Sequence, residues 1–280
     1  MICMKLIYSF ALLLFTCYAN AKEINYVGCT PANTTVRNFL GISLTDSVDF
    51  IRWSIAAENG KYSLKCNYGI GKPDTPGFWN GGKWIELHGR ITKTESYFSF
   101  ENGKKILKAL ELNPSLIHFV DENKNLLIGT GGWAYTLGDK ALPASDHLSA
   151  IAKQTVLKDS MSFHGRTPCG NFSVNPPGSN CIKMKWSIVF YANKNQPTTY
   201  LLNHSNAMPL QYPGKTGTWK IVNGKDGRII YQLNPDNDNT PTYLLKLNDN
   251  VLVFTDAKGN LLVGDKDFSY TLSRKINPTK

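Results

Sequence analysis

Acidic side chains are in short supply in this chain: 21 Asp and Glu face 31 Lys and Arg, a formal charge of +10 at pH 7. The excess makes the surface basic and opens it to anionic partners. The lysines are nevertheless scattered singly (Lys61, Lys65, Lys72, Lys83, Lys93), a pattern that solubility alone explains, and no nucleic-acid partner is expected. Cysteine is scarcer, six in 280 residues, with no C-x-x-C and no H-x-x-x-H. The close ligand spacing of structural zinc sites is therefore missing. Gly-x-Ser-x-Gly does not occur either, which excludes that nucleophile elbow. The five histidines (His88, His118, His147, His164, His204) have no orienting partner at local spacing. Gly69-Ile70-Gly71 and Gly129-Thr130-Gly131-Gly132 sit among turns with no helix following, so a phosphate cradle is not expected of them. Long apolar runs are lacking too: Leu6–Phe15 falls short of the roughly 20 residues that span a bilayer, and no later segment comes close.

That short run has a meaning of its own. With Lys5 before it and Ala19-Asn20-Ala21 behind it, residues 1–21 read as a secretory signal peptide. The mature chain is expected to begin near Lys22, to be soluble, and to be exported to a periplasm, cell envelope or extracellular space. Acylation of Cys17 is the rival reading, and a membrane is expected as partner only through it. Phe15 and Thr16 stand where such sites carry small residues. Four cysteines remain: Cys29, Cys66, Cys169 and Cys181. An even number in an exported chain points to disulfides. Of the three pairings, the division of the chain into two halves favours Cys29–Cys66 and Cys169–Cys181.

What the chain has in plenty is repetition. Residues 84–137 align with 219–272 without a gap, at an offset of 219 − 84 = 135: Trp84 falls on Trp219, Leu112-Asn113 on Leu247-Asn248, Asp121 on Asp256, and Tyr135-Thr136-Leu137 on Tyr270-Thr271-Leu272. Upstream, Trp53-Ser54-Ile55 matches Trp186-Ser187-Ile188, and Thr30-Pro31 matches Thr167-Pro168, with small changes of offset. Two homologous domains in tandem follow, over residues 22–140 and 161–280. Short runs rich in Val, Ile, Tyr, Phe and Thr, broken by turns such as Asn59-Gly60 and Asn102-Gly103, predict all-β barrels or sandwiches. The unit Phe-x-Asp-x-x-x-Asn-Leu-Leu-x-Gly, at Phe119–Gly129 and Phe254–Gly264, reads as strand, turn, strand. Between the domains, Leu148, Ile151, Ala152, Thr155 and Val156 recur at helical spacing after Ser145-Asp146, so 141–160 is expected to be a short helical linker.

The order Phe163-His164-Gly165, Thr167-Pro168-Cys169, Cys181, Trp186, Gly217-x-Trp219 and the Asp256–Gly264 hairpin resembles the N-terminal domain of NlpE-like copper-resistance and envelope-stress lipoproteins. The first half carries a weaker form, from Tyr26-Val27-Gly28-Cys29-Thr30-Pro31 to Asp121–Gly129. The resemblance implies a small, closed, lipocalin-like antiparallel barrel in each half and a binding or sensing role in the envelope. Where that family shows Pro-Cys-x-x-Cys, Cys169 is followed by Gly170-Asn171-Phe172, which argues for a plain Cys169–Cys181 bridge. No cofactor is expected. Copper is the one metal considered, through a soft set of Met161, His164, Cys169 and Met184.

Trp53/Trp186, Trp84/Trp219, Tyr62/Tyr200 and Tyr135/Tyr270 are read mainly as core. Phe78-Trp79 differs: it occurs only in the first half, in a Gly/Pro loop expected at a barrel mouth, and is the candidate ligand or partner contact. The differences between the halves gather upstream, at the moved cysteines, this loop and Arg166-Thr167-Pro168-Cys169. The expected function is a non-enzymatic envelope protein of NlpE-like type that binds a small apolar ligand or an envelope protein, in stress or copper response. The alternative is an envelope hydrolase with its site where the two barrels meet.

Overall fold

The structure, a computed structural model, describes residues 23–142, 156–170, 181–205, 214–224, 227–236 and 240–275. The segment read as a signal peptide lies outside the described residues, as do 143–155, where most of the linker helix was expected.

In the first half, β1 (Ile24–Thr30), β2 (Phe50–Glu58), β3 (Lys61–Gly69), β4 (Lys83–Thr94), β5 (Tyr97–Asn102), β6 (Lys105–Asn113), β7 (Leu116–Val120) and β8 (Thr136–Gly138) pair in sequence order. Val27 opposite Gly138 closes the ring. The second half repeats the ring with β9 (Ser160–Thr167), β10 (Met184–Asn193), β11 (Gln196–Ser205), β12 (Lys215–Asn223), β13 (Ile229–Pro235), β14 (Thr242–Lys246), β15 (Val251–Thr255) and β16 (Thr271–Arg274). Two closed, eight-stranded, up-and-down antiparallel barrels result, as expected. A helix the sequence reading missed, α1 (Thr34–Leu40), follows β1. The side chain of Asn33 accepts the Val36 N–H at its start, and Gly41 in the left-handed region ends it. Its Val36, Phe39 and Leu40 join the barrel core.

Alternation fills each barrel with rings. Trp53 packs edge-on against Phe119 at 5.0 Å, and its counterpart Trp186 packs against Phe254 at 4.8 Å. Both indoles donate to a buried threonine of the shared Thr-Pro pair, Thr30 at 2.8 Å and Thr167 at 2.9 Å. This satisfies the one polar atom that burying a tryptophan strands. The Asp121 and Asp256 turns are also alike, each carboxylate accepting from the amide and side chain of the Asn four residues on.

The gapless alignment, however, does not hold over nearly its first half. Gly89 lies opposite Tyr62, and Gly217 opposite Tyr200. At each glycine a Cβ would strike the tyrosine ring and a backbone carbonyl of the next strand, Glu101 or Asn234. These glycines are therefore the equivalent pair, at an offset of 217 − 89 = 128. Ile91 then corresponds to Trp219, facing Phe100 and Leu233 respectively. The offset of 135 holds only from Ala109 and Leu244, which face Phe98 and Tyr231. A longer β3–β4 loop and a shorter β4–β5 hairpin in the first barrel partly cancel, so two unrelated tryptophans fell into line. Trp219 is core at 3% exposure, whereas Trp84 is 70% exposed.

The barrels meet along a second core made of outward-facing residues. Leu110, Leu112, Leu116 and Val120 of the first interleave with Ile230, Leu245, Leu247, Val251, Val253 and Leu261 of the second. β7 and β15 are consequently buried on both faces. The contact is isologous: the equivalent residues Thr136 and Thr271 touch each other, Thr271 Oγ1 donating to Thr136 Oγ1 at 2.9 Å. Beside them His118, fully buried, lies 2.8 Å from Thr136 Oγ1 through Nδ1 and 2.9 Å from the Leu127 carbonyl through Nε2. With Nε2 protonated, one chain of donors satisfies every group: Thr271 to Thr136, Thr136 to Nδ1, Nε2–H to Leu127. A second proton would turn Nδ1 into a donor and reverse the Thr136 hydroxyl.

Burial accordingly lowers the His118 pKa from 6.5 to about 4. Because the unfolded chain binds this proton more readily, stability is fully present above pH 6.5 and declines as pH falls towards 4, by about 3 kcal/mol. Burial also lowers His164 and His204, which add to the decline. Urea denaturation at a series of pH values should show this loss. His118→Val, the residue the second barrel carries as Val253, should remove most of the slope. It should also lower stability at neutral pH by about 1–3 kcal/mol, through the stranded Thr136 and Leu127 groups.

Candidate functional site

Packing the two Leu/Val faces together brings the β7–β8 connection of each barrel against the strands of the other. In one direction the contact is neutralised. Arg52 on β2 pairs with Asp267 at 2.6 Å and donates to the Pro76 carbonyl, while the Cys29 thiol donates to the Lys266 carbonyl at 3.3 Å. In the other direction, the strand residues equivalent to Cys29 and Arg52 are Arg166 and Lys185, which face each other across β9 and β10. Lys183 lies on the same face two residues along. The connection they meet carries Gly132 where its counterpart has Asp267, so the carboxylate is missing. Like charges placed directly opposite cost roughly 0.2–1 kcal/mol.

The electrostatics record this imbalance. Burial holds Arg166 below its ordinary pKa, and it ion-pairs with no carboxylate among the described residues. Lys183 is lowered by burial and then by Arg166 and Lys185; Lys185 is lowered by burial and then by Arg166. Asp74, exposed on the β3–β4 loop, is the carboxylate whose charge reaches both lysines.

A column of aromatic rings forms the wall beside these cations. Phe50 stacks on Phe78 at 4.2 Å and on Trp133 at 4.3 Å. Guanidinium groups cap both ends, Arg52 at 5.5 Å over Phe78 and Arg166 at 5.0 Å over Trp133. Between the column, the cations and the Pro73–Pro76 stretch lies a cavity of about 260 Å³, which also touches Cys29, Asp49 and Asp267. Asp49 accepts the Gly71 amide at 2.7 Å, and Asp267 is held by Arg52 and Lys266. On the far side of Arg166 a groove of about 480 Å³ runs past Gly129–Gly132, His164, Ser273, Arg274 and Lys275, with no carboxylate in its lining.

Of the residues singled out from the sequence, Phe78 is buried at 7% exposure inside the column and is not a surface contact. Trp79 is 53% exposed, its ring near the Lys72 ammonium at 6.0 Å. The soft-metal set does not converge. Cys169 is bridged to Cys181, and Met184 lies opposite Thr167, six residues or about 20 Å along β9 from Met161. His164, three residues from Met161 in the same strand, faces the other way. His164 Nε2 does lie 3.0 Å from Ser162 Oγ, but the charge that reaches this histidine is Lys275, and no carboxylate orients it among the described residues. A hydrolytic triad is thus lacking its third member there. The seam cations escaped sequence reading because they lie 19 and 108 residues apart (185 − 166, 274 − 166). Only the grouping of differences around Arg166 pointed to this place.

The bridge between Cys169 and Cys181 is present, whereas Cys29 and Cys66 are unbridged, which corrects the expected pairing. The register gives the reason. Cys66 lies opposite Trp53 and points into the barrel, while Cys29 lies opposite Arg52 and points out to the seam. One β-sheet wall separates the two sulfurs. Burial pushes the Cys29 thiol up to about 12 and Cys66 well above its usual range. The mature protein should therefore leave Ellman's reagent unreacted when native and release two equivalents on unfolding without reductant. A Cys29–Cys66 bridge would release none. Compared with known protein families, curated proteins and solved structures, the chain shows no match.

Proposed function

We propose that this protein is an exported, non-enzymatic binding protein of the cell envelope, and that its ligand sits at the seam between the barrels rather than inside either one. One observation carries the reading: Arg166, Lys185 and Lys183 form a single row of half-buried like charges facing a cavity whose other wall is aromatic. Arg166 ion-pairs with no carboxylate among the described residues, so a ligand that supplies a negative charge beside it is the natural occupant. Its chemistry is that of an apolar anion, with a ring or chain against Trp133 and Phe268 and a negative group towards the lysines. Both interiors are packed with rings around Trp53 and Trp186, which supports the seam over a calyx. Export is supported by the signal-type segment before Lys22 and by the Cys169–Cys181 disulfide. A role of the NlpE-like type, in envelope sensing, fits a binding site that spans two domains, since occupancy there bears on how they sit together.

The apolar anion 8-anilinonaphthalene-1-sulfonate is a direct probe. It should bind saturably to the folded protein, with fluorescence enhancement. The Lys183→Glu/Lys185→Glu double variant should bind at least tenfold more weakly, since each charge-assisted hydrogen bond contributes about 1.5–3 kcal/mol. Equal binding by parent and variant would place the ligand elsewhere. Native mass spectrometry of protein from its own envelope would then identify the retained molecule.

A further inference from the structure

The two β7–β8-type connections share one backbone hydrogen bond but differ at the next residue, Gly131 lying in the left-handed region at φ +79 and its equivalent Lys266 outside it. Thr130 N–H donates to the Trp133 carbonyl at 3.1 Å, and the equivalent Asp265 N–H to the Phe268 carbonyl at 2.9 Å. Inside the second turn the Asp265 carboxylate accepts two amides, Asp267 at 2.9 Å and Phe268 at 2.8 Å. The corresponding amides of the first turn belong to Gly132 and Trp133. Thr130 replaces the carboxylate there, and neither amide has an acceptor among the described residues. An amide nest of this kind is an anion-binding concavity.

The surroundings of the two turns differ in the same sense. Gly131, at φ +79, brings the first turn against His164: a Cβ added to it would lie 3.0 Å from the His164 Cβ. The Arg166 guanidinium lies 3.6 Å from where a Gly132 Cβ would be. Arg274 and Lys275 complete the groove. The first turn has thus lost both carboxylates of its counterpart, Asp265 to Thr130 and Asp267 to Gly132, while the strand it faces has gained a cation, Arg166 for Cys29.

We propose that the Gly131-Gly132-Trp133 turn and Arg166 form an oxyanion site, taking one carboxylate or phosphate group where the second barrel holds its own Asp265. The inference rests on the reading of the seam as an anion site and narrows it to named donors: the Gly132 and Trp133 N–H groups and the Arg166 guanidinium, with Arg274 and Lys275 supplying field. A ligand that places an acid group here can extend its apolar part past Arg166 into the cavity beside Trp133. No helix terminus takes part, which is why the glycine spacing looked unsuited to phosphate in the sequence.

The test is an amide titration of the ¹⁵N-labelled mature chain with acetate, inorganic phosphate and sulfate, each at constant ionic strength balanced by chloride. The Gly132 and Trp133 amide resonances should move along a saturating curve, and the tightest of the three anions identifies the class of head group. Thr130→Asp plants the second barrel's carboxylate in the first turn. It should abolish saturation and raise the thermal midpoint. Arg166→Gln, which keeps Thr130, should weaken the tightest anion at least tenfold. Amides that drift linearly like the rest of the surface, or a Thr130→Asp chain that titrates like its parent, would overturn the site. If these amides stay still while 8-anilinonaphthalene-1-sulfonate still depends on Lys183 and Lys185, this site falls and the wider seam reading stands. If the amides saturate while that probe ignores both lysines, the oxyanion site stands and the wider reading falls.

Discussion

The apolar seam between the barrels is the constraint from which the rest follows. A closed barrel needs only its inward residues to be apolar, yet β7 and β15 are apolar on both faces, and β6 and β14 add Leu110, Leu112 and Leu245 outside. Left in water, these outward faces would form the kind of contiguous patch that soluble chains avoid. Burying each against its own repeat removes both at once. Because the faces are equivalent, the contact has approximate two-fold symmetry, and Thr136 against Thr271 marks its axis. The symmetry then fixes everything at the rim: each β7–β8 connection must cross to the strands of the other barrel.

That geometry makes the seam a comparison of two solutions to one packing problem. On one side both carboxylates are present: Asp265 caps its own amides and Asp267 meets Arg52. On the other side Thr130 and Gly132 stand in those places, while Arg166 and Lys185 supply positive charge. The same amide-to-carbonyl bond crosses both turns, while Gly131 takes a positive φ that its equivalent Lys266 does not. The two turns therefore differ in side-chain chemistry and, at Gly131, in backbone conformation. A duplicated domain supplies an internal reference for what a satisfied turn contains, and the first turn departs from it in amides, carboxylates and cations together.

The sequence made the fold legible because its signals are local or repeated. Turn residues, alternation and the Phe119–Gly129 hairpin are read within a dozen residues, and duplication doubled each signal. Even so, α1 was missed, since seven residues give too few apolar positions for a period to show. Trp84 was misplaced because a longer loop and a shorter hairpin compensate in length, and a constant offset hid two shifts of register. The Cys29–Cys66 pairing failed for another reason. Counting cysteines per domain ignores which face of a strand each occupies, and that face follows from register with β2. Doubly buried strands did leave a trace, in the unbroken run Leu116-Ile117-His118-Phe119-Val120, which has no polar alternation except a histidine. Read against its counterpart Val251-Leu252-Val253-Phe254-Thr255, it announces an outward face that must be covered.

The site itself was barely legible, and the reason is physical. The proposed site, built from one long-range contact between repeats, draws its residues from segments that no local pattern joins: Gly131-Gly132-Trp133, Arg166, Lys183, Lys185 and Arg274-Lys275. Their shared property is a deficit, an absence of carboxylates where the fold's own symmetry would place them. Such a deficit costs the folded protein stability, because half-buried like charges and uncapped amides both oppose folding. The cost is tolerated because ten apolar residues of the seam core hold the rim in place whether or not it is neutralised. The proposed site lies at the rim of this interface, while rings fill the described interior of each barrel. Inside, the Trp53 and Trp186 indoles each donate to a buried threonine and pack against a ring, and a ligand there would have to displace them. At the seam, a ligand would supply what the first turn lacks.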